Sequence, residues 1–115
     1  MLTDSAYKDA AACLKMLAQP NRLKIVDLLL VKPLTVGEIS LALGISQNLT
    51  SEHLKLLRLC NFIKPIKSGR SVTYQIQEQH LFEIMSCIYN KFGGQNGNKT
   101  RRSKEPTKRK RRLNT

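Results

Sequence analysis

Apolar residues recur at helical spacing in five segments of the chain, with short breaks between them. The first segment begins at a cap at Thr3 or Asp4 and runs to about Ala18. Pro20 divides it from the second, because proline disfavours helix in the residue before it and suits the first turn of a helix. The second segment, about residues 20–30, is apolar nearly all round, so we expect it at the centre of a small core.

Two short helices joined by a tight turn are predicted next. Thr35 and Glu38 have the spacing of a capping box, so the third helix begins there and ends near Leu43. Gly44 suits the turn because glycine takes a left-handed conformation without strain. Ser46 then caps a fourth helix. This order is typical of a helix-turn-helix, which places its second helix in the major groove of DNA.

The rest of the pattern predicts a hairpin and one last helix. The fourth helix ends at about Cys60, and residues 62–66 and 71–76 are two predicted strands. The loop between them consists of Lys67, Ser68, Gly69 and Arg70. A last helix is predicted over about 79–92. We therefore predict a mainly α protein with a small β-hairpin wing, a dimeric winged helix-turn-helix of five helices.

Length and charge divide the chain into a domain and a tail. The 115 residues include no tryptophan and only 5% aromatics, so we expect one modest core that gains stability from a partner subunit. Of the +12 net charge, nine basic residues and one acid fall within 93–115, where a glycine-rich linker comes first. We predict a DNA-binding and dimerisation domain at 1–92 and a flexible basic tail at 93–115.

Polar and basic side chains predict contacts with double-stranded DNA. Amides, hydroxyls and a lysine at the start of the fourth helix can bind base edges or phosphates, and the hairpin tip can contact phosphates or the minor groove. The predicted DNA-binding residues are Ser46, Gln47, Asn48, Thr50, Ser51, His53, Lys55, Lys67, Ser68, Gly69 and Arg70. For any one of them the alternative is a solvated polar face, and a lone histidine such as His53 is more often structural or phosphate-bonding than a metal ligand.

Three segments of the chain resemble the ArsR/SmtB-type bacterial repressors. They are LKMLAQPNRLKIVDLL (14–29), LTVGEISLALGISQNLTSEHLKLLR (34–58) and GRSVTYQI (69–76). Their combination of A-x-P-x-R-L, S-x-H-L-K-x-L and G-R-x-x-x-Y is specific, and the resemblance covers roughly 5–92. It implies a homodimer that packs its first and last helices across a two-fold axis. It also implies a repressor that binds an inverted-repeat operator until a chemical signal releases it.

The ligand sets that such repressors use for sensing are incomplete in this sequence. Segment 34–39 lacks the C-x-C pair of the arsenic and lead sensors, and only Glu78 and His80 match the zinc sensors. Other residues stand at the remaining ligand positions: Lys91 and Gly94 for zinc, and Asp27 and Gly93 for the persulfide sensors. Two ligands cannot satisfy tetrahedral zinc, so we predict no metal site and no cofactor.

Three cysteines leave one route to sensing open. Cys13 on the first helix and Cys87 on the last would approach each other if these helices pair as the resemblance implies, within or between subunits. They would then form a thiol sensor or hold a thiophilic metal or metalloid. The alternative is that Cys13 packs as a small hydrophobic residue. Cys60 is expected to be structural.

Other classes of function are disfavoured by what the sequence lacks. Two histidines, no paired carboxylates and no glycine-rich phosphate loop predict that the chain is not an enzyme. No apolar run reaches the roughly 18 residues of a membrane span, and the first residues do not resemble a signal peptide, so we expect a bacterial cytoplasmic, nucleoid-associated protein. The alternative function is a basic architectural or RNA-associated protein that acts through the tail with little sequence preference.

Overall fold

The computed structural model describes residues 1–93, which form five α-helices and three β-strands. The helices are α1 (Asp4–Leu17), α2 (Pro20–Val31), α3 (Val36–Leu43), α4 (Gln47–Leu59) and α5 (Leu81–Phe92), and the strands are β1 (Leu34–Thr35), β2 (Ile63–Ser68) and β3 (Ser71–Ile76). This mainly helical winged arrangement confirms the predicted fold. The chain divides into two compact units, residues 1–81 and a second unit that begins at Phe82.

Local signals in the sequence start the helices. The Thr3 hydroxyl accepts a hydrogen bond from the Ala6 N–H at 3.1 Å at the start of α1. At the start of α3 the predicted capping box is complete, since Thr35 Oγ1 accepts from the Glu38 N–H at 3.1 Å and Glu38 Oε1 accepts from the Thr35 N–H at 2.9 Å. That backbone hydrogen bond lowers the pKa of the Glu38 carboxyl.

The turn between α3 and α4 depends on a left-handed residue. Gly44 has φ 70°, and no heavy atom lies within 4 Å of the Cβ that another residue would add there. The Gly44 N–H donates to Leu41 O, and the Ile45 N–H donates to Ser40 O, which satisfies carbonyls at the end of α3. This closure sends the chain directly into α4, as predicted.

The C-terminus of α4 is closed in the same way. Asn61 has φ 60°, and it is the one non-glycine residue of 1–93 with positive φ. Its N–H donates to Arg58 O at 2.9 Å, and the Phe62 N–H donates to Leu57 O at 3.1 Å. Phe62 and Leu57 are both buried. Cys60, the C-cap of α4, therefore lies on a backbone that this closure holds in place.

The sheet has one strand more than the sequence predicted. Its order is β1-β3-β2, with β1 antiparallel to β3 through the pair Leu34 and Tyr74. Strand β1 has only two residues, which is too few to show the alternation that marks a strand, so the sequence pattern did not predict it. The hairpin loop is also shorter than predicted: Lys67 and Ser68 belong to β2, and Ser68 pairs with Ser71 across a two-residue turn.

The core of the first unit lies around α2, as predicted. Its buried apolar side chains are Leu17, Ile25, Val26, Leu29, Ile39, Leu54, Leu57, Phe62, Ile63 and Leu81. They come from α1, α2, α3, α4 and β2, from the first residue of α5, and from Phe62, which lies between α4 and β2. Truncating such a side chain to alanine typically costs about 2–5 kcal/mol, so this core keeps α4 in place.

The last helix begins two residues later than predicted. The Leu81 N–H donates to Glu78 O, and Glu78 Oε2 lies 2.8 Å from His80 Nδ1. The side chain and the backbone N–H of His80 both hydrogen-bond to the Glu78 carboxylate and lower its pKa. Apart from Gly93, the predicted tail lies outside the described residues. Within 1–93, no helix combines the length and the apolar character that a membrane crossing requires.

Candidate nucleic-acid interface

Helix α4, the second helix of the helix-turn-helix, has two distinct faces. Its buried side chains, Thr50, His53, Leu54 and Leu57, follow one another at spacings of three, one and three residues. They form the stripe by which α4 packs on the core. The opposite side has exposed polar side chains, which are Gln47, Asn48, Ser51, Glu52, Lys55 and Arg58. This second set is defined here as the reading face.

Two predicted DNA-binding residues lie on the buried side instead. Thr50 is fully buried, and its Oγ1 donates a hydrogen bond to Ser46 O at 2.9 Å. His53 is only 7% exposed. Both side chains lie within the stripe that packs on the core, so neither is available to a DNA groove. Their predicted contact with DNA stays a prediction, and this burial argues against it. The prediction followed residue type and ignored the helical period.

The burial of His53 has an electrostatic consequence. Neither ring nitrogen has a hydrogen-bond partner among the described residues, and the same is true of the buried Arg22 Nε. Burial lowers the pKa of His53, and the nearby Arg22 guanidinium lowers it further. Both effects favour the neutral form of the imidazole within the fold. Its role is packing at the α2 and α4 side of the core.

The start of α4 is built to face an anion. Ser46 Oγ accepts from the Leu49 N–H at 3.0 Å, while other N–H groups of the first turn have no partner within the helix. Together with the helix dipole, such groups attract phosphate. Gln47 extends over the start of α3, because a Cβ built on Gly37 would lie 3.5 Å from Gln47 Nε2.

The hairpin adds positive charge. Lys64, Lys67 and Arg70 are all exposed, and residues 46–70 contain five basic residues against one acid, Glu52. Gly69 has φ 61°, which its position in a two-residue hairpin turn requires. The exposed Ser68 lies beside it at the end of β2. The tip therefore presents Arg70 to solvent on a two-residue turn.

Three exposed residues of α4 whose side chains could contact DNA were not predicted from the sequence. They are Leu49, which is 44% exposed, Glu52 and Arg58. Leu49 can contact a thymine methyl group, Glu52 can accept from cytosine, and Arg58 can bind phosphate or guanine. The signal that identifies them is the helical period, since the positions of Leu54 and Leu57 define the buried side.

The structure brings two of the three cysteines together. Cys13 on α1 and Cys60 at the end of α4 are half-buried, whereas Cys87 is exposed on α5 in the second unit. Burial raises the pKa of the Cys60 thiol, and the neighbouring Cys13 thiol raises it further. The predicted pairing of Cys13 with Cys87 stays a prediction. Over residues 1–93, no group of three or more His, Cys, Asp or Glu side chains is placed to hold a metal ion.

Comparison with known proteins agrees with this geometry. Residues 19–64 match the family described as bacterial regulatory protein, arsR family. The regulator NmtR of Mycobacterium tuberculosis is 32% identical over 89 residues, which is 76% of this chain and 74% of NmtR. The chain belongs to the ArsR family. The transcriptional activator HlyU of Vibrio cholerae is 31% identical over 80 residues, covering 70% of this chain and 74% of HlyU.

Two solved structures show the same fold. NolR from Sinorhizobium fredii has a TM-score of 0.72 at 26% identity, covering 81% of this chain and 96% of NolR. HlyU from Vibrio cholerae has a TM-score of 0.70 at 27% identity, covering 79% and 99%. Membership of the ArsR family assigns the chain to DNA-binding transcriptional regulation.

Proposed function

We propose that this ArsR-family chain is a repressor that binds an inverted-repeat operator as a homodimer, through the reading face and the hairpin of each subunit. The reading face supports this most strongly, because it is polar and follows a capped helix N-terminus directly. Gln47 and Asn48 can form paired hydrogen bonds with adenine, and Ser51 can bind bases or phosphates. Lys55 lies one turn further along, where it can bind the DNA backbone.

The hairpin contributes to affinity more than to selectivity. Lys67 and Arg70 are exposed at or beside the tip and can neutralise phosphates or enter the minor groove. We assign the basic tail, residues 93–115, the same sequence-independent role. We assign base selectivity to the reading face.

Exposed apolar side chains support a dimer through α1 and α5. Tyr7 and Leu14 on α1 are 44% and 55% exposed, and Phe82 and Phe92 on α5 are 63% and 59% exposed. Covering a side chain of this size contributes roughly 1.5–3 kcal/mol, so a second copy of the chain would gain by packing there. A symmetric dimer then requires half-sites about one helical turn, roughly 34 Å, or a multiple apart.

Repression is the simpler mode of action for such a dimer. Occupying an operator is sufficient to block a promoter, whereas activation requires a further contact with the transcription machinery. We therefore propose regulation by occupancy, and no catalytic step.

Footprinting of the full chain on promoter DNA tests this function. We expect protection of one short symmetric site and reduced transcription from a reporter that contains that site. Uniform coating of any duplex would contradict the proposal and favour the architectural or RNA-associated alternative. Protection of a symmetric site with increased transcription would contradict repression alone.

A further inference from the structure

Two thiols from different helices meet within the first compact unit. Cys13 lies on α1 and Cys60 is the C-cap of α4, and these helices pack against each other. The Cys13 thiol lies near enough to the Cys60 thiol to influence it, and both side chains are half-buried. We call these two residues the thiol pair.

Both members of the thiol pair lie on well-anchored backbone. Cys13 is one turn before Leu17, the α1 side chain that is buried at 4% exposure. Cys60 is followed by Asn61, whose φ of 60° closes the end of α4, and then by the buried Phe62. The approach of the two thiols is therefore a property of the packed α1 and α4, and does not depend on a mobile loop.

We propose that the thiol pair is an oxidisable site that a hydroperoxide converts into an intramolecular disulfide. We further propose that closure weakens operator binding, which rests on the function proposed above. Neither residue belongs to the reading face, so the reduced chain needs no thiol for DNA contact. The sensing element is then Cys13 with Cys60 in one subunit.

The reaction balances with a hydroperoxide as the oxidant. One thiol attacks the peroxide oxygen and becomes a sulfenic acid while hydrogen peroxide releases water. The second thiol then attacks that sulfur, the disulfide bond forms, and the hydroxyl departs as a second water. Two thiols lose two electrons and two protons, and the peroxide is reduced. Because burial raises the pKa of Cys60, we assign the first step to Cys13 and the second to Cys60.

Closure moves helix α4. A disulfide holds its sulfurs about 2.05 Å apart, while unbonded neighbours lie about 3.5–4 Å apart. The part of this shortening that side-chain rotation does not supply, up to roughly 1.5–2 Å, draws the end of α4 toward α1. The reading face lies on the same helix as Cys60 and shifts with it. Losing one base contact in a half-site lowers affinity about fivefold or more, which is the effect we expect.

Peptide mapping tests whether the bridge forms. The full chain is treated with hydrogen peroxide, blocked with N-ethylmaleimide and digested with trypsin without reduction. Trypsin places the three cysteines in separate peptides, residues 9–15, 59–67 and 71–91. We expect a crosslink between 9–15 and 59–67, formed in wild type and in Cys87→Ser. Cys13→Ser and Cys60→Ser should lack it, and non-reducing electrophoresis should show the monomer mass.

Operator binding before and after oxidation tests the consequence. We expect affinity to fall about fivefold or more in wild type and Cys87→Ser, to recover with dithiothreitol, and to stay constant in Cys13→Ser. If Cys60→Ser fails to fold, Cys60→Ala replaces it, and the wild-type map still decides whether the bridge exists.

Three results would overturn the inference. A crosslink from 9–15 to 71–91 would show that Cys13 pairs with Cys87 instead. Absence of any crosslink would remove the site, and a mapped bridge with unchanged affinity would remove its regulatory role. Failure of the reduced chain to select a symmetric site would count against the proposed function alone, because the peptide map does not depend on DNA.

Discussion

Thr50 and Ser51 are neighbours on α4 with opposite environments. Substituting each of them in turn should therefore distinguish an effect on the stability of the fold from an effect on base preference. Thr50 is fully buried and Ser51 is exposed. Thr50→Val keeps the shape of the side chain but removes the hydroxyl that donates to Ser46 O at 2.9 Å. That carbonyl still accepts the Thr50 N–H at 3.0 Å, so no buried polar group loses its last partner.

The two substitutions should therefore differ in what they change. Losing a hydrogen bond of this kind costs about 0.5–1.5 kcal/mol, and burying a methyl group instead returns up to about 0.8 kcal/mol. For Thr50→Val we expect the free energy of unfolding to fall by about 1 kcal/mol or less, with base preference unchanged. For Ser51→Ala we expect stability within about 0.5 kcal/mol of wild type but a loss of discrimination of about 1 kcal/mol at one base position per half-site.

Urea denaturation followed by circular dichroism measures the first quantity. Binding to a set of operators with single base changes measures the second. The assignment of faces on α4 is refuted if Thr50→Val alters base preference while Ser51→Ala leaves it intact.

Three further predictions concern pH, backbone conformation and charge. Because burial lowers the pKa of His53, the unfolded chain binds the proton more readily than the folded chain. The free energy of unfolding is therefore highest above the ordinary pKa of about 6.5 and falls as the pH drops below it. Urea denaturation at a series of pH values should show a shallower dependence on pH for His53→Gln. Gly44→Ala should cost about 1–2 kcal/mol through its φ of 70° alone, whereas Gly37→Ala, a helical control with an ordinary 3.5 Å neighbour, should leave thermal stability unchanged or higher. Arg70→Gln should weaken binding to all DNA sequences alike and reduce the slope of log K against log salt by about 0.9 per lost contact. Lys24 is an exposed lysine on α2, and an equal effect of Lys24→Gln would contradict a specific role for the hairpin.

The sequence predicted the helix boundaries well because local interactions determine them. The capping box at Thr35 and Glu38 needs residues only three apart, and the left-handed turn at Gly44 needs one residue type. Both features formed as predicted. The short β1 was missed because its partner, β3, lies nearly forty residues further along the chain.

The candidate site was only partly predictable, because residue type is local information whereas burial depends on contacts with distant segments. Residue type suggested Gln47, Asn48 and Ser51, and the structure exposes all three. Type also suggested Thr50 and His53, which packing against the core buries. Glu52 and Arg58 were not among the predicted DNA-binding residues, but the orientation of α4 on the core places both on the reading face.

By itself the sequence determined the order of the elements, the helix-turn-helix and the family resemblance, since these depend on short-range spacing and residue type. Tertiary structure decided that Thr50 and His53 are buried with Leu54 and Leu57, because burial depends on packing against a core built from distant segments. It also decided that Cys13 has Cys60 as its neighbour, since 47 positions of sequence separate them and only the packing of α1 on α4 brings them together.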